Sequence, residues 1–190
     1  MTEREAFVKR ERWLEERYFR QLEETLITRL RQRRELREIT GITDEQVLDD
    51  LQELGYTGET VESLPYLVPL LQVAWSEGFV TARERRRILE LARREGLGEG
   101  TPGYRRLCGW LDQRPSDKLF RRTLQIIRYL FGMLPPGERE RRRHDLMNRC
   151  LAVASASGSV LEYWVPISAT EWKTLQRIAV ELEGPPGNAH

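Results

Sequence analysis

A glycine turn between two apolar segments occurs twice in the sequence, and this repeat limits the choice of fold more than any other feature. Residues 73–80 read VAWSEGFV and residues 153–160 read VASASGSV. The first copy is followed by TARE at residues 81–84, and the second, after a short insertion, by SATE at residues 168–171. Glycine readily ends a helix in the left-handed conformation, and a Thr or Ser three residues before Glu begins one as a capping box. The repeat therefore predicts two helical hairpins, distant in sequence, within one pseudo-symmetric bundle.

The N-terminal segment predicts a single long helix. Residues 2–38 contain neither glycine nor proline, and Leu14, Tyr18, Leu22, Leu26 and Leu30 recur at four-residue spacing. That spacing predicts an amphipathic helix with one apolar stripe. At about 1.5 Å per residue, the helix is longer than a small bundle is wide. Two arrangements stay open: a helix laid along its own domain, or a docking arm for a partner or for a second copy of the chain.

The sequence divides into four predicted parts. These are an N-terminal amphipathic helical arm at residues 1–40, a short helical connector at 41–63, a helical domain at 64–183 and a disordered tail at 184–190. In the connector, Thr43 and Gln46 predict a capping box, and residues 60–64 predict a short helix. The segment 119–134 has the most large apolar residues and is predicted to be the central helix. Since no strand-like alternation occurs, the predicted class is all-α, a bundle of two pseudo-repeated halves with a long N-terminal helix.

Composition limits the cellular setting and the partners. The 31 basic and 30 acidic residues give a net charge of +1, so no bulk field favours nucleic acid or an anionic membrane. The charged N-terminus is unlike a secretory signal, and no apolar run reaches the roughly 18 residues that a membrane span needs. Two cysteines without metal-type spacing are typical of a reducing compartment. We therefore expect a cytoplasmic protein with no membrane span.

The first glycine turn resembles the sequence motif of the TerB-like family. That motif is approximately A-x-A-D-G-x-(V/I)-x-x-x-E, and the matching residues 74–84 here read AWSEGFVTARE. The family is named for tellurite resistance and includes the N-terminal region of the co-chaperone DjlA. Residues 109–115 (GWLDQRP) and 149–154 (RCLAVA) also resemble a bacterial subgroup of TerB-like proteins in which a charged N-terminal helix precedes the domain. The resemblance covers about residues 64–183.

The resemblance implies an all-helical domain of two related halves. It also implies links to metal binding and to stress-response or membrane-associated complexes. The sequence departs from the family pattern at two positions: Glu77 stands where the motif has aspartate, and Ser157 stands there in the second copy. A serine at that position offers no carboxylate to a metal ion.

Three glutamates are the candidate metal ligands. Glu77 and Glu84, with Glu171, supply oxygen ligands of the kind that Ca²⁺ or Mg²⁺ prefers. Glu84 and Glu171 also occupy the third helical position of a capping box, where glutamate is expected for structure alone. We therefore predict a structural role and no cofactor, with divalent-cation binding as the alternative function.

Nucleic-acid binding and catalysis are less well supported by the sequence. Arginines cluster at residues 29–37, 83–94 and 139–143, but glutamates interleave with them, as on solvated helix faces whose charges pair with one another. Arginine-mediated nucleic-acid binding is therefore the second alternative. The only histidines are His144 and His190, and no nucleophile has a base at helical spacing. The sequence predicts that the protein is not an enzyme.

Aromatic residues near the two glycine turns are candidate contact residues. They are Trp75, Phe79, Tyr163 and Trp164, and they serve either as a contact surface or as a plug between the two halves. Leu14, Tyr18 and Leu22 of the N-terminal stripe are the other candidates. The function most consistent with the sequence is a non-enzymatic TerB-like interaction module in stress response. Its partner is another protein, with self-association through the N-terminal helix left open.

Overall fold

The computed structural model describes the backbone of residues 3–156 and 167–183, and side-chain surroundings from residue 12 onward. Every regular element in these ranges is helical, which confirms the all-α class. The helices are α1 (Glu3–Thr40), α2 (Glu45–Glu53), α3 (Gly58–Val61), α4 (Leu64–Ala74), α5 (Ala82–Arg94), α6 (Pro102–Asp112), α7 (Asp117–Gly132), α8 (Pro136–Ala154) and α9 (Ala169–Glu183). A 3-10 turn at Trp75–Glu77 follows α4.

Helix α4 lies at the centre of the bundle. It packs against α5, α6, α7, α8 and α9, and it contains no charged residue. Pro65 lies in its first turn and Pro69 lies inside it, so the helix continues through a residue that usually interrupts one. The prediction that residues 119–134 form the central helix was wrong in this respect. Their helix, α7, has an apolar face that packs on α4 and α9 and an opposite face that is exposed.

The capping boxes predicted at Thr81 and at Ser168 are confirmed. The Thr81 hydroxyl accepts the Glu84 amide at 3.3 Å, while the Thr81 amide donates to the Glu84 carboxylate at 2.7 Å. At the start of α9, the Ser168 hydroxyl accepts the Glu171 amide at 3.2 Å, and the Ser168 amide donates to Glu171 at 2.8 Å. Gly78 has the predicted left-handed backbone, with φ of 88°. The wider pseudo-repeat stays a prediction, since residues 157–166 lie outside the described ranges.

The connector begins differently from the prediction. Asp44, rather than Thr43, is the N-cap of α2, and its carboxylate accepts the Val47 amide at 3.1 Å. Aspartate is a strong N-cap residue, and its position one residue later moves the helix start by one. The short helix α3 begins at Gly58 instead of residue 60, because Thr57 and Thr60 form a capping box of their own.

The connector also contributes to the same apolar core as the helices that follow it. Ile42, Leu48, Leu51 and Tyr56 are fully or almost fully buried and belong to one cluster with the residues of α4. The division of the chain at residue 64 stays a prediction. Residues 32–156 and 167–183, which contain this core, form the body of the protein.

Only the last turns of α1 lie along the body. Leu36 is fully buried, and Arg33 forms ion pairs with Glu45 and Asp49 of α2. The Gln52 side-chain amide donates to the Arg29 carbonyl at 2.8 Å. Every residue from 12 to 31, by contrast, is exposed. Residues 12–31, called the outer arm, therefore extend from the body into solvent.

Replacement of the two N-cap residues tests the helix starts. We expect Thr81→Ala and Ser168→Ala each to lower the free energy of unfolding by about 1 kcal/mol, because each removes a hydroxyl that caps a helix. Urea unfolding monitored by circular dichroism measures the change. The control is Thr28→Ala, since the Thr28 hydroxyl only donates to the Glu24 carbonyl within an exposed helix. If the two cap variants lost no more unfolding free energy than this control, Thr81 and Ser168 would not be the N-caps of α5 and α9.

Replacement of Leu36 tests whether the end of α1 packs into the core of the body. We expect Leu36→Ala to cost about 2–5 kcal/mol of unfolding free energy, since it leaves a cavity in the core. Val180→Ala is the control, because Val180 is 67% exposed on α9 and its change should stay within about 0.5 kcal/mol. Equal effects of the two substitutions would show that α1 does not belong to the core.

Candidate functional site

The outer arm exposes a contiguous row of large apolar side chains. Leu14 is 51% exposed, Tyr18 63% and Leu22 43%, so all three predicted interaction residues of the stripe face solvent. The same is true of the other large apolar side chains of the arm, namely Trp13, Phe19, Leu26, Ile27 and Leu30. Isolated exposed apolar residues are normal on a soluble protein, whereas a contiguous group typically marks a contact surface.

Polar groups within the outer arm are satisfied locally and leave the stripe apolar. The hydroxyls of Thr25 and Thr28 each donate to the carbonyl four residues earlier at 2.8 Å. The Arg17 guanidinium lies over the Trp13 ring at 5.3 Å, and the rings of Tyr18 and Phe19 meet edge to face at 6.0 Å. These contacts are made by neighbours on α1 itself, so the body covers none of this surface.

The aromatic residues at the first glycine turn have different surroundings. Trp75 is half-buried, and its indole N–H donates to the Trp110 carbonyl at 2.9 Å, which joins the turn to α6. Phe79 is 58% exposed. Trp75 is therefore held against α6, while Phe79 is exposed and free to make contacts. Whether Trp75 also fills the junction between the two halves stays a prediction. Tyr163 and Trp164, the other two candidates, lie outside the described residues.

Two glutamates are buried in the body, and the negative charge of one, Glu171, acts on the carboxyl group of the other, Glu84. Glu84 is 3% exposed and Glu171 is 1% exposed, whereas Glu77 is exposed at the turn. One oxygen of Glu171, Oε1, has no hydrogen-bond partner in the described part of the chain. Sequence spacing alone did not show that these carboxylates interact, because they lie on helices more than eighty residues apart.

The environment of Glu84 raises the pKa of its carboxyl group above the ordinary value of 4.5. Burial is the largest cause, since it disfavours the charged form. The Thr81 hydroxyl and amide donate to the carboxylate and lower the pKa, while the negative charges of Glu171 and Glu77 raise it. Burial and the two neighbouring charges thus outweigh the donors from Thr81, and the carboxyl group loses its proton less readily than an exposed glutamate does.

The geometry gives the predicted metal ligands different roles. Glu84 is committed to the Thr81 cap, and Glu77 lies on the exposed surface. Among the described residues, no group of three or more His, Cys, Asp or Glu side chains is arranged to hold a metal ion. Divalent-cation binding stays an alternative that rests on the family resemblance.

Many arginines of the three clusters are engaged in pairs or caps. Arg33 and Arg37 pair with Glu45 of α2, and Arg85 pairs with Asp112 at 2.7 Å. Arg139 donates to three carbonyls at the end of α7, and so acts as a cap. A nucleic-acid phosphate would have to compete with these contacts, which weakens the interpretation of the clusters as a phosphate-binding surface.

Sequence reasoning missed the role of Arg106. Its guanidinium donates to the carbonyls of Leu54 and Gly55 at the end of α2 and lies over the rings of Tyr56 and Trp110, at 5.5 and 4.7 Å. Burial lowers the pKa of Arg106 from its ordinary value. Arg106 therefore joins α2 to α6. Because α1 packs on α2, this contact also helps to hold α1 in place. No local pattern predicts this contact, because the partners lie about fifty residues away.

Comparisons with known proteins do not assign the chain to a family. No family model, no curated protein and no solved structure matches it. Among the described helices, none combines the length and apolarity that a membrane-spanning segment requires. The TerB-like resemblance therefore stays a prediction that rests on the motif residues alone.

The pH dependence of stability tests the environment of Glu84. Because its pKa is raised in the folded state, the stability that it contributes is fully present below about pH 4.5 and is lost as the pH rises through the folded pKa. Glu84→Gln keeps an oxygen that accepts from Thr81 but cannot ionise. We therefore expect its stability relative to wild type to improve between pH 4 and pH 7, as measured by urea unfolding. Glu77→Gln is the control at an exposed position, and the difference between its unfolding free energy and that of wild type should stay almost constant over this pH range. If the difference for Glu84→Gln were constant as well, burial of Glu84 would not explain the pH dependence.

Proposed function

We propose that this protein is a non-enzymatic TerB-like interaction module, in which the body holds the outer arm and the apolar stripe of the arm binds a protein partner. One observation carries the proposal: Leu14, Tyr18, Leu22, Leu26 and Leu30 follow one another at four-residue spacing along the outer arm, and all five are exposed. Burial of such a row in a complex gains about 25 cal/mol for each Å² removed from water. The row recurs at helical spacing, so a partner helix or groove fits it well.

The attachment of α1 to the body supports a binding role. Leu36 is buried in the core and Arg33 bonds to three residues of α2, so the C-terminal turns of the helix are fixed. The arm continues from them as the same helix. A surface that is already ordered loses less conformational entropy on binding than a flexible segment does.

The chemistry of the described side chains supports the non-enzymatic part of the proposal. Burial raises the pKa of Cys150 to about 12, so its thiol stays protonated and unreactive at neutral pH. His144 is exposed on α8, where three arginines precede it and Asp145 follows it. A role in stress response enters the proposal through the TerB-like resemblance of residues 74–84.

Photo-crosslinking from the stripe tests the proposed function. A benzoylphenylalanine placed at Tyr18 of the full-length chain should form protein adducts in living cells, because that side chain lies in the contact surface. The control places the same group at Glu24, which lies about 200° around the helix from Leu22 and is also exposed. Adducts are read by gel mobility and mass spectrometry. The proposal fails when Tyr18 yields no adduct, or yields only the adducts that Glu24 yields.

A further inference from the structure

Five residues of the outer arm share the face of the helix on which Leu22 lies. At about 100° per residue, Glu15, Tyr18, Leu26 and Arg29 all point within about 40° of the direction of Leu22. All five are exposed. The side chains of Glu15 and Arg29 form no ion pair within the described part of the chain. The face thus carries an acid, three apolar residues and a base, in that order.

This order is complementary to itself when a second helix runs in the opposite direction. An antiparallel copy centred on Leu22 places Tyr18 at the level of Leu26, and Glu15 at the level of Arg29. The two-fold symmetry of such a pair makes each of these contacts occur twice. A parallel copy in register instead sets Glu15 against Glu15 and Arg29 against Arg29, and like charges repel.

The position of the body also favours the antiparallel arrangement. Eighteen residues make five turns of about 3.6 residues, so Leu36 points in the direction of Tyr18 and Thr40 in that of Leu22. Leu36 is buried and Thr40 is half-buried, so the body occupies the same face at the far end of α1. In a parallel pair, two bodies would lie on facing sides of the helices at one level and would collide. An antiparallel pair separates the bodies to opposite ends.

An antiparallel pair also has to accommodate the first turns of the second helix, because each body occupies the same face at the far end of α1. Helices that pack through rows at four-residue spacing cross at about 50°. The antiparallel pair requires a crossing of this kind, in which the N-terminal turns of one arm pass beside the other body and Glu15 of one arm reaches Arg29 of the other through their side chains.

We infer that the partner of the outer arm is a second copy of this chain, and that the two arms cross in an antiparallel homodimer with the two Leu22 side chains at its centre. The inference rests on the proposed function, since it names the occupant of the same apolar stripe. The dimer would display two bodies at opposite ends of the paired arms, with both copies of Phe79 still exposed.

Sedimentation equilibrium of the full-length chain tests whether the dimer forms. Wild type is expected to be a dimer at micromolar concentration, and Leu22→Arg is expected to raise the dissociation constant at least about tenfold, because two charges then meet at the centre of the interface. Glu24→Arg, a change to the same residue type on the opposite face, should leave the dimer intact. Since Leu22 is exposed in the single chain, circular dichroism should show that Leu22→Arg keeps its helical content.

Charge exchange tests the orientation of the arms. Glu15→Arg and Arg29→Glu should each weaken an antiparallel dimer, because each creates two like-charge contacts. The double variant Glu15→Arg with Arg29→Glu should restore the wild-type dissociation constant. In a parallel dimer, neither single change removes an attractive contact across the interface, so weakening by both and rescue by the double variant are expected only for the antiparallel arrangement.

The outcomes separate this inference from the proposed function. A wild-type monomer at all concentrations, with Tyr18 adducts that contain a different protein, would overturn the dimer and leave the interaction module in place. A monomer with no Tyr18 adduct would overturn both. A dimer that Leu22→Arg does not weaken, or charge variants without rescue, would also overturn the inference.

Discussion

The burial of helix α4 is the constraint on which the rest of the body depends. Nine of its eleven residues are buried, and they lie on all sides of the helix. A helix that is apolar around its whole circumference must be enclosed, so several amphipathic helices have to pack around it. That requirement packs α5, α8 and α9 against α4. It also buries Glu84 and Glu171, so the charge of Glu171 acts on Glu84 although the two residues are far apart in sequence.

Local chemistry explains which parts of the fold were predictable from the sequence. The caps at Thr81 and Ser168 depend on residues three positions apart, so their pattern was sufficient to predict them. The central place of α4 was not predicted, because amphipathic periodicity identifies one-sided helices and two prolines interrupt the segment. At the start of α2, the capping-box pattern predicted Thr43 as the N-cap, whereas the structure uses the next residue, Asp44.

The candidate site shows the same limit. The four-residue spacing of Leu14, Tyr18 and Leu22 predicted an apolar stripe, but not whether the body would cover it. That depends on the buried position of Leu36 and on the contacts of Arg33 with α2, which are tertiary. The contact that fixes α2 to α6 through Arg106 was likewise absent from any local pattern. Sequence patterns thus identified the surface, and the packing of the chain showed that it stays open to solvent.

The continuous helix from the body to the outer arm acts mechanically as a lever. Trp13 lies about 30 Å from Arg33 along the helix axis, at about 1.5 Å per residue. A tilt of about 10° at Arg33 therefore displaces the tip by about 5 Å, while Leu36, close to the pivot, hardly moves. The ion pairs that brace this pivot join Arg33 to carboxylates that are more than half exposed, and dissolved salt screens such pairs. A higher ionic strength therefore weakens these two ion pairs and so the bracing of the arm, while Leu36 stays buried in the core.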